Sequence, residues 1–300
     1  MRLSEAVICA VAEKSAITIR KDGEFSSLGL VSHQTPAMLV FLEHARHLPA
    51  LLRNSHIACV VTTDQLADIV PANYGVAISA CPRQTFYDIH DHLARKTDFY
   101  GIAYATHIED SAEIARTAYV ADSNVRVGKR VRIEPNVTIH ERVVIDDDVI
   151  IRAGSVIGAE GFAFNLIGCS IIPILHAGGV RLHSRVEVQS NCCIDKSVFG
   201  GFTEIGEDTK LDNFVQIAHN VKIGRRCRLG AGAMLAGSVT IGDDVFVGPK
   251  ASVSTEVRVG HCATLSIGSV VTKEVAPGAR VSGNFAIEHA KFIEFIKKIR

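Results

Sequence analysis

The stretch LDNFVQIAHNVKIG, residues 211–224, sets His219 and Asn220 in a run whose other strong positions are aliphatic. Imidazole titrates closest to neutrality of any side chain, so a histidine held outside a core can accept a proton in a reaction near pH 7. Cysteine chemistry is not indicated: the chain has 8 cysteines and no CxxC pair, so neither a disulfide framework nor a structural zinc site is expected. Cys192 and Cys193, adjacent in an expected strand, should point to opposite sides.

The elements that hold His219 follow from a period of six. Counting from Ile205 gives Leu211, Ile217, Ile223, Leu229, Leu235, Ile241, Val247, Val253, Val259, Leu265 and Val271, each followed by a small or short polar residue. A second inward series, four residues after each of these, is smaller: Val215, Val221, Cys227, Ala233, Val239, Val245, Ala251, Val257 and Ala263. Neither an α-helix nor a hairpin sheet has this period, but a coil of short parallel strands around a narrow core does. The same frame runs through Val127, Ile133, Ile139, Ile145, Ile151 and Ile157 and resumes at Leu182, Val188 and Ile194. Its two breaks, 158–179 and the pair Gly200–Gly201, are where loops can leave a solenoid without disturbing its stacking. His219 falls on the third place of its hexad, at a corner rather than in the core.

The 300 residues, about half of them apolar, suffice for a substantial core, and the formal net charge of zero does not point to nucleic acid as a partner. The N-terminus has too short an apolar run and too many charges for a signal peptide or membrane span, so a cytoplasmic location is expected. Residues 1–104 read as a small α/β domain: TPAMLVFLEHARHLPALLRN a helix, IACVVTT a strand, DQLADIV a short helix, YGVAISA a strand and PRQTFYDIHDHLARK a helix. Residues 105–275 are the repeat domain, and 276–300 a loop and a short helix with Phe292, Ile296 and Ile299 on one face, expected to pack on the coil or on a neighbouring subunit.

These parts in this order resemble the UDP-3-O-(3-hydroxyacyl)glucosamine N-acyltransferases of lipid A biosynthesis. The motifs that carry the resemblance are LDNFVQIAHNVKIG, GAEGFAF at 158–164, IIP at 171–173 followed by GGV, CIDK at 193–196 and AGS at 236–238, with VFLEHARHLPALL similar to that family's uridine-binding segment. The resemblance implies a left-handed β-helix, a homotrimer with sites between subunits, and transfer of a hydroxyacyl group from acyl carrier protein to the amine of a UDP-linked 3-O-acylglucosamine, without a cofactor. It implies His219 as general base and Gly237, 18 residues on and so one three-sided coil further, as the backbone donor to the oxyanion. It further implies substrate contacts from Phe41, His44, His47, Phe162, His176, Asn220 and Glu256.

The chain departs from that family's pattern at three of these places. Glu256 stands where the family has a second histidine near the acceptor's phosphates, and a carboxylate there would repel phosphate. His44 and His47 replace an asparagine and a tyrosine after Phe41. Lys222, Arg225, Arg226 and Arg228 form a basic run that an acidic carrier protein or the phosphates of coenzyme A could use. An acyl-CoA-dependent enzyme acting on another nucleotide-linked amino sugar for surface polysaccharide, and a non-catalytic nucleotide-sugar-binding β-helix, are the alternatives. No metal is expected, because His140, His176, His183 and His261 do not reproduce the histidine cluster of hexapeptide proteins of the carbonic anhydrase type.

Overall fold

A chain that must send an aliphatic side chain into a narrow core at every sixth residue has room for about two strand residues per side before it turns. The computed structural model, which describes residues 1–11, 17–167, 170–283, 286 and 288–298, has this form. Short parallel strands from His107–Ile108 to Arg280–Val281 stack into three sheets of 9, 8 and 8 strands. The last rung lies past the break read after Val275. Register keeps the frame in line: Ile194 pairs with Ile217, Ile217 with Leu235 and Leu235 with Val253. Every member of both inward series from Ile205 onward is at most 6% exposed. Each buried aliphatic of this kind stabilises the coil by about 1.5–3 kcal/mol.

The corners turn by a device that residue types do not reveal. The residue three places past most of the bulky inward positions takes the left-handed conformation, as Asn220 (φ 63°), Ser238 (62°) and Glu256 (63°) do. Non-glycine residues resist this region, and the stacked coils on either side impose it. Carboxylates then bridge successive coils: Asp243 accepts from Arg225 N–H at 2.8 Å, and Asp244 pairs with Arg226 at 2.6 Å.

Those bridges also engage the basic run. Arg225 and Arg226 are paired with Asp243 and Asp244, Lys222 with Glu204, and Arg228 lies over the Phe246 ring at 5.3 Å. Three of the four charges thus face carboxylates on an adjoining coil, and Arg228 faces a ring instead. Cys192 is buried and Cys193 half-buried, as alternation along a strand requires.

Both breaks in the frame are loops that leave the coil. The first carries an antiparallel hairpin, Phe164–Ile167 with Ser170–Pro173, whose Phe162, Leu166 and Ile171 are exposed. At the second, Gly200 (φ 74°) and Gly201 (φ 62°) let the chain bend back onto the coil.

The N-terminal domain is a five-stranded sheet in the order Thr18–Lys21, Gly75–Ile78, Ile57–Thr62, Met38–Leu42, Ser27–Leu28, with the first strand antiparallel. Helices Asp64–Ala67 and Pro82–Lys96 lie where expected. The stretch read as one helix from Thr35 does not: Met38–Leu42 is a central strand, and helix begins only at Ala45–His47 and Leu48–Arg53. MLVFL is almost wholly buried, and a short run that is apolar all round has no period to separate strand from helix. The domain docks on the second loop through Phe199, whose ring meets Phe86, Tyr87 and His90 at 5.1–6.1 Å. His90 also donates from Nε2 to the Leu175 carbonyl at 2.9 Å.

The terminal helix His289–Lys298 buries no residue, and Phe292 and Phe295 stay about half exposed. Among the described residues the helix buries no apolar face on the coil of the same chain, and Ile299 lies outside them. Among the described residues no helix is long and apolar enough to cross a membrane.

Candidate active site

His219 stands at a corner beside an asparagine whose orientation is settled by its neighbours. The Ser197 hydroxyl donates to the Gly200 carbonyl at 2.8 Å, leaving Ser197 Oγ to accept from Asn220 Nδ2 at 3.0 Å. Asn220 Oδ1 is then the acceptor; it takes the Val198 N–H at 3.1 Å and lies 3.1 Å from His219 Nδ1. The proton of the imidazole is thus on Nδ1, and Nε2 carries a lone pair. Burial lowers the imidazole's affinity for a second proton, opposed by the Asn220 bond, so the ring is neutral near pH 7.

Gly237 lies against this ring. A Cβ at 237 would come within 2.6 Å of His219 Cε1 and 2.9 Å of Nε2, so only glycine leaves the imidazole its place. The Ser238 N–H donates to the His219 carbonyl at 2.9 Å and locks the two coils together. At the same corner place elsewhere, Asp243 caps the N–H of Arg225 and Asp212 that of Ala231. The Gly237 N–H has no acceptor among the described residues. A neutral base and an uncapped donor side by side can remove a proton from a nucleophile and stabilise an oxyanion.

His176 closes the other side, its ring 5.6 Å from that of His219 and roughly perpendicular to it. Its Nε2 accepts from the Gly161 N–H at 3.2 Å and its Nδ1 donates to the Ile174 carbonyl at 3.0 Å, an arrangement only the neutral ring can make. Burial, aided by His219, pushes it down to about 4. Phe162, next to Gly161, is 89% exposed and rests edge-on against Phe164.

A cleft of about 1080 Å³ separates this corner from the N-terminal domain, lined by Asn220, Ser238, Thr240 and Glu256 on the coil and by the 31–36 loop opposite. Glu256 faces the cleft and accepts from the Ser32 hydroxyl at 2.8 Å. His33, which sequence reasoning missed, donates from Nε2 to Ser238 Oγ at 3.2 Å, since its Nδ1 takes the Leu30 N–H. Its loop is clamped by Asn54 Nδ2, bonded to the Val31 and His33 carbonyls. Phe41, His44 and His47 do not line this cleft. Phe41 is half-buried under the Arg83 guanidinium, and His44 and His47 are exposed with rings 6.4 Å apart. Asp195 was also missed, although CIDK put a carboxylate beside an inward aliphatic; it lies near His219 because its strand pairs with Gln216–Ile217 on the next coil, across the second loop.

His176 yields a prediction for stability. Its proton affinity is depressed on folding, so the unfolded chain binds more protons between pH 6.5 and about 4, and the stability His176 provides is complete above 6.5 and lost as pH falls. Relative to wild type, His176→Gln, whose amide can still accept the Gly161 N–H, gains up to roughly 3 kcal/mol over that window. Paired thermal melts from pH 7 to 4 check it; a constant difference contradicts it. Asp195, raised by burial, contributes in the opposite sense in wild type and variant alike, and cancels from the comparison.

The fold and site define a class: a left-handed parallel β-helix of hexapeptide repeats. The bacterial transferase hexapeptide family (six repeats) matches residues 124–159 and 202–237, the second match ending on Gly237. Within that class part of the chain is similar to the UDP-3-O-acylglucosamine N-acyltransferases. It is 34% identical to that of Caulobacter sp. (strain K31) over 133 residues, 44% of this chain and 39% of the relative. It is 38% identical to that of Shewanella denitrificans over 140 residues, 46% of this chain and 41% of the relative. The chain thus spans about two fifths of the length of the curated relatives it matches. Among solved structures, the UDP-N-acetylglucosamine acyltransferase from Campylobacter jejuni is 20% identical with a TM-score of 0.49, covering 65% of this chain and 81% of that one.

Proposed function

We propose that this protein transfers a hydroxyacyl group from a carrier-protein thioester to the amine of UDP-3-O-acylglucosamine. The observation that carries the reading is the imidazole of His219, held by Asn220 with Nε2 free, against the bare, uncapped Gly237 one coil on. The amine attacks the thioester carbonyl, and His219 Nε2 takes its proton as the C–N bond forms. The Gly237 N–H donates to the oxyanion. As the C–S bond breaks, the imidazolium returns the proton to the departing thiolate. The cleft over Asn220 and Ser238 takes the nucleotide-linked sugar. A homotrimer is part of this reading, supported by the exposed Leu166 and Ile171 of the hairpin and by Phe214 and Val270 on the coil. A cytoplasmic location follows from the same reading.

One observation favours a second reading, acyl-CoA as donor to a different nucleotide-linked amino sugar. Glu256 lines the cleft, beside Arg53, Lys222 and Arg258, at the place where the family resembled has a histidine near the acceptor's phosphates, and this points to a different acceptor. Thiol release from hydroxyacyl carrier protein and from acyl-CoA, each with UDP-3-O-acylglucosamine, decides between them. Release from the carrier protein alone is expected; release only from the CoA thioester overturns the choice of donor, and release from neither transfers the assignment to the second reading, whose acceptor is another sugar.

Replacement of Asn220 by alanine frees the Nδ1 proton to move to Nε2. Turnover should fall about 10- to 100-fold, the usual effect of losing a group that orients a reacting one. Single-turnover rates check this, and an unchanged rate would show that the tautomer does not matter.

A further inference from the structure

We propose that Asp195 receives the acceptor's amino group as an ammonium ion, so that the site selects an amine over a hydroxyl. The inference rests on the acyl-transfer reading above. Asp195 closes the strand Cys193–Asp195, which pairs with the strand Gln216–Ile217 leading to His219. A Cβ on Gly161 would lie 2.9 Å from Asp195 Oδ2 and 3.2 Å from His219 Cδ2, so carboxylate and imidazole flank one bare glycine. His176 holds that glycine in place through its N–H.

What singles out Asp195 is how little compensates it. It is 7% exposed, yet its one partner among the described residues is the neutral Gln216 amide, which donates from Nε2 to Oδ2 at 3.1 Å. Its Oδ1 has no partner among the described residues, and the adjacent Lys196 is turned to Glu160 at 3.6 Å. Burial pushes the carboxyl up to about 6, so keeping it ionised at pH 7 costs the fold stability. A buried, uncompensated charge beside a base is expected where a ligand of opposite sign completes it.

The protons balance. The bound R–NH₃⁺ gives one proton to the Asp195 carboxylate, and the resulting R–NH₂ attacks the thioester. His219 takes the second proton and passes it to the thiolate, and Asp195 releases its own to water when the amide product leaves.

The test is equilibrium binding, without acyl donor, of UDP-3-O-acylglucosamine and of its analogue with a hydroxyl in place of the amine. Wild type should prefer the amine by about tenfold or more, as expected for a charge-assisted hydrogen bond. Asp195→Asn and Asp195→Ser should bring the ratio near one, and Asp195→Asn should melt higher than wild type at pH 7. Retention of the wild-type preference in both variants, or a lower melting temperature for Asp195→Asn, overturns the inference. Wild type that binds both sugars equally overturns it while leaving the acyl-transfer reading in place; wild type that binds neither removes both.

Discussion

His219→Ala is expected to lower turnover by about 10²- to 10⁴-fold, the contribution a positioned general base would make, while affinity for the UDP-sugar should stay within a few-fold of wild type. The separation follows from where the ring sits. His219 makes one side-chain hydrogen bond, to Asn220, and its Nε2 points to no group of the protein among the described residues. Removing the ring therefore leaves the cleft over Ser238 and Glu256 intact. The fold should hold as well, since the inward neighbours Ile217 and Val221 are untouched. Single-turnover kinetics with an equilibrium binding measurement separate the two effects, and loss of both together would mean that the histidine binds rather than reacts.

Gly237→Ala should cost about 10²-fold or more in turnover with little change in melting temperature. Backbone torsion does not forbid alanine there, because Gly237 lacks the positive φ of Gly232 and Gly268. Space does: the new methyl would stand 2.6 Å from His219 Cε1. The cheapest relief is for the imidazole to swing away from Asn220, and displacing a reacting group by about 1 Å can cost about 10²-fold. A double-mutant cycle isolates this cause. In the His219→Ala background the clash is gone, so Gly237→Ala should cost much less; a full additional loss would place the effect on the oxyanion donor instead.

The repeat was legible because a core only one side chain wide tolerates no exceptions. From Ile205 to Val271 each sixth residue is aliphatic, and each is buried. The relation of Gly237 to His219 followed from the same count, since three hexads make one coil. The left-handed corners were not legible: Arg226, Phe214 and Glu256 adopt them without any residue signature, because the stacked coils impose the torsion. Met38–Leu42 was read as helix since burial on both faces erases the period that marks a strand. Asp195 and His33 reach the site through contacts distant in sequence, one by the step between coils after a loop and the other from a separate domain. The segment similar to a uridine-binding one shows the reverse case. Phe41, His44 and His47 were visible as a motif, but within one chain they stand away from the cleft at Asn220.

The most direct measurement is intact-mass detection of the amide product when wild-type protein meets a hydroxyacyl carrier protein and UDP-3-O-acylglucosamine. The expected product is heavier than the acceptor by one hydroxy fatty acid less water, with equimolar release of carrier-protein thiol and product formation about 10²- to 10⁴-fold slower with His219→Ala. A product formed equally well by the His219→Ala protein, or none from wild type with any thioester donor, would contradict it.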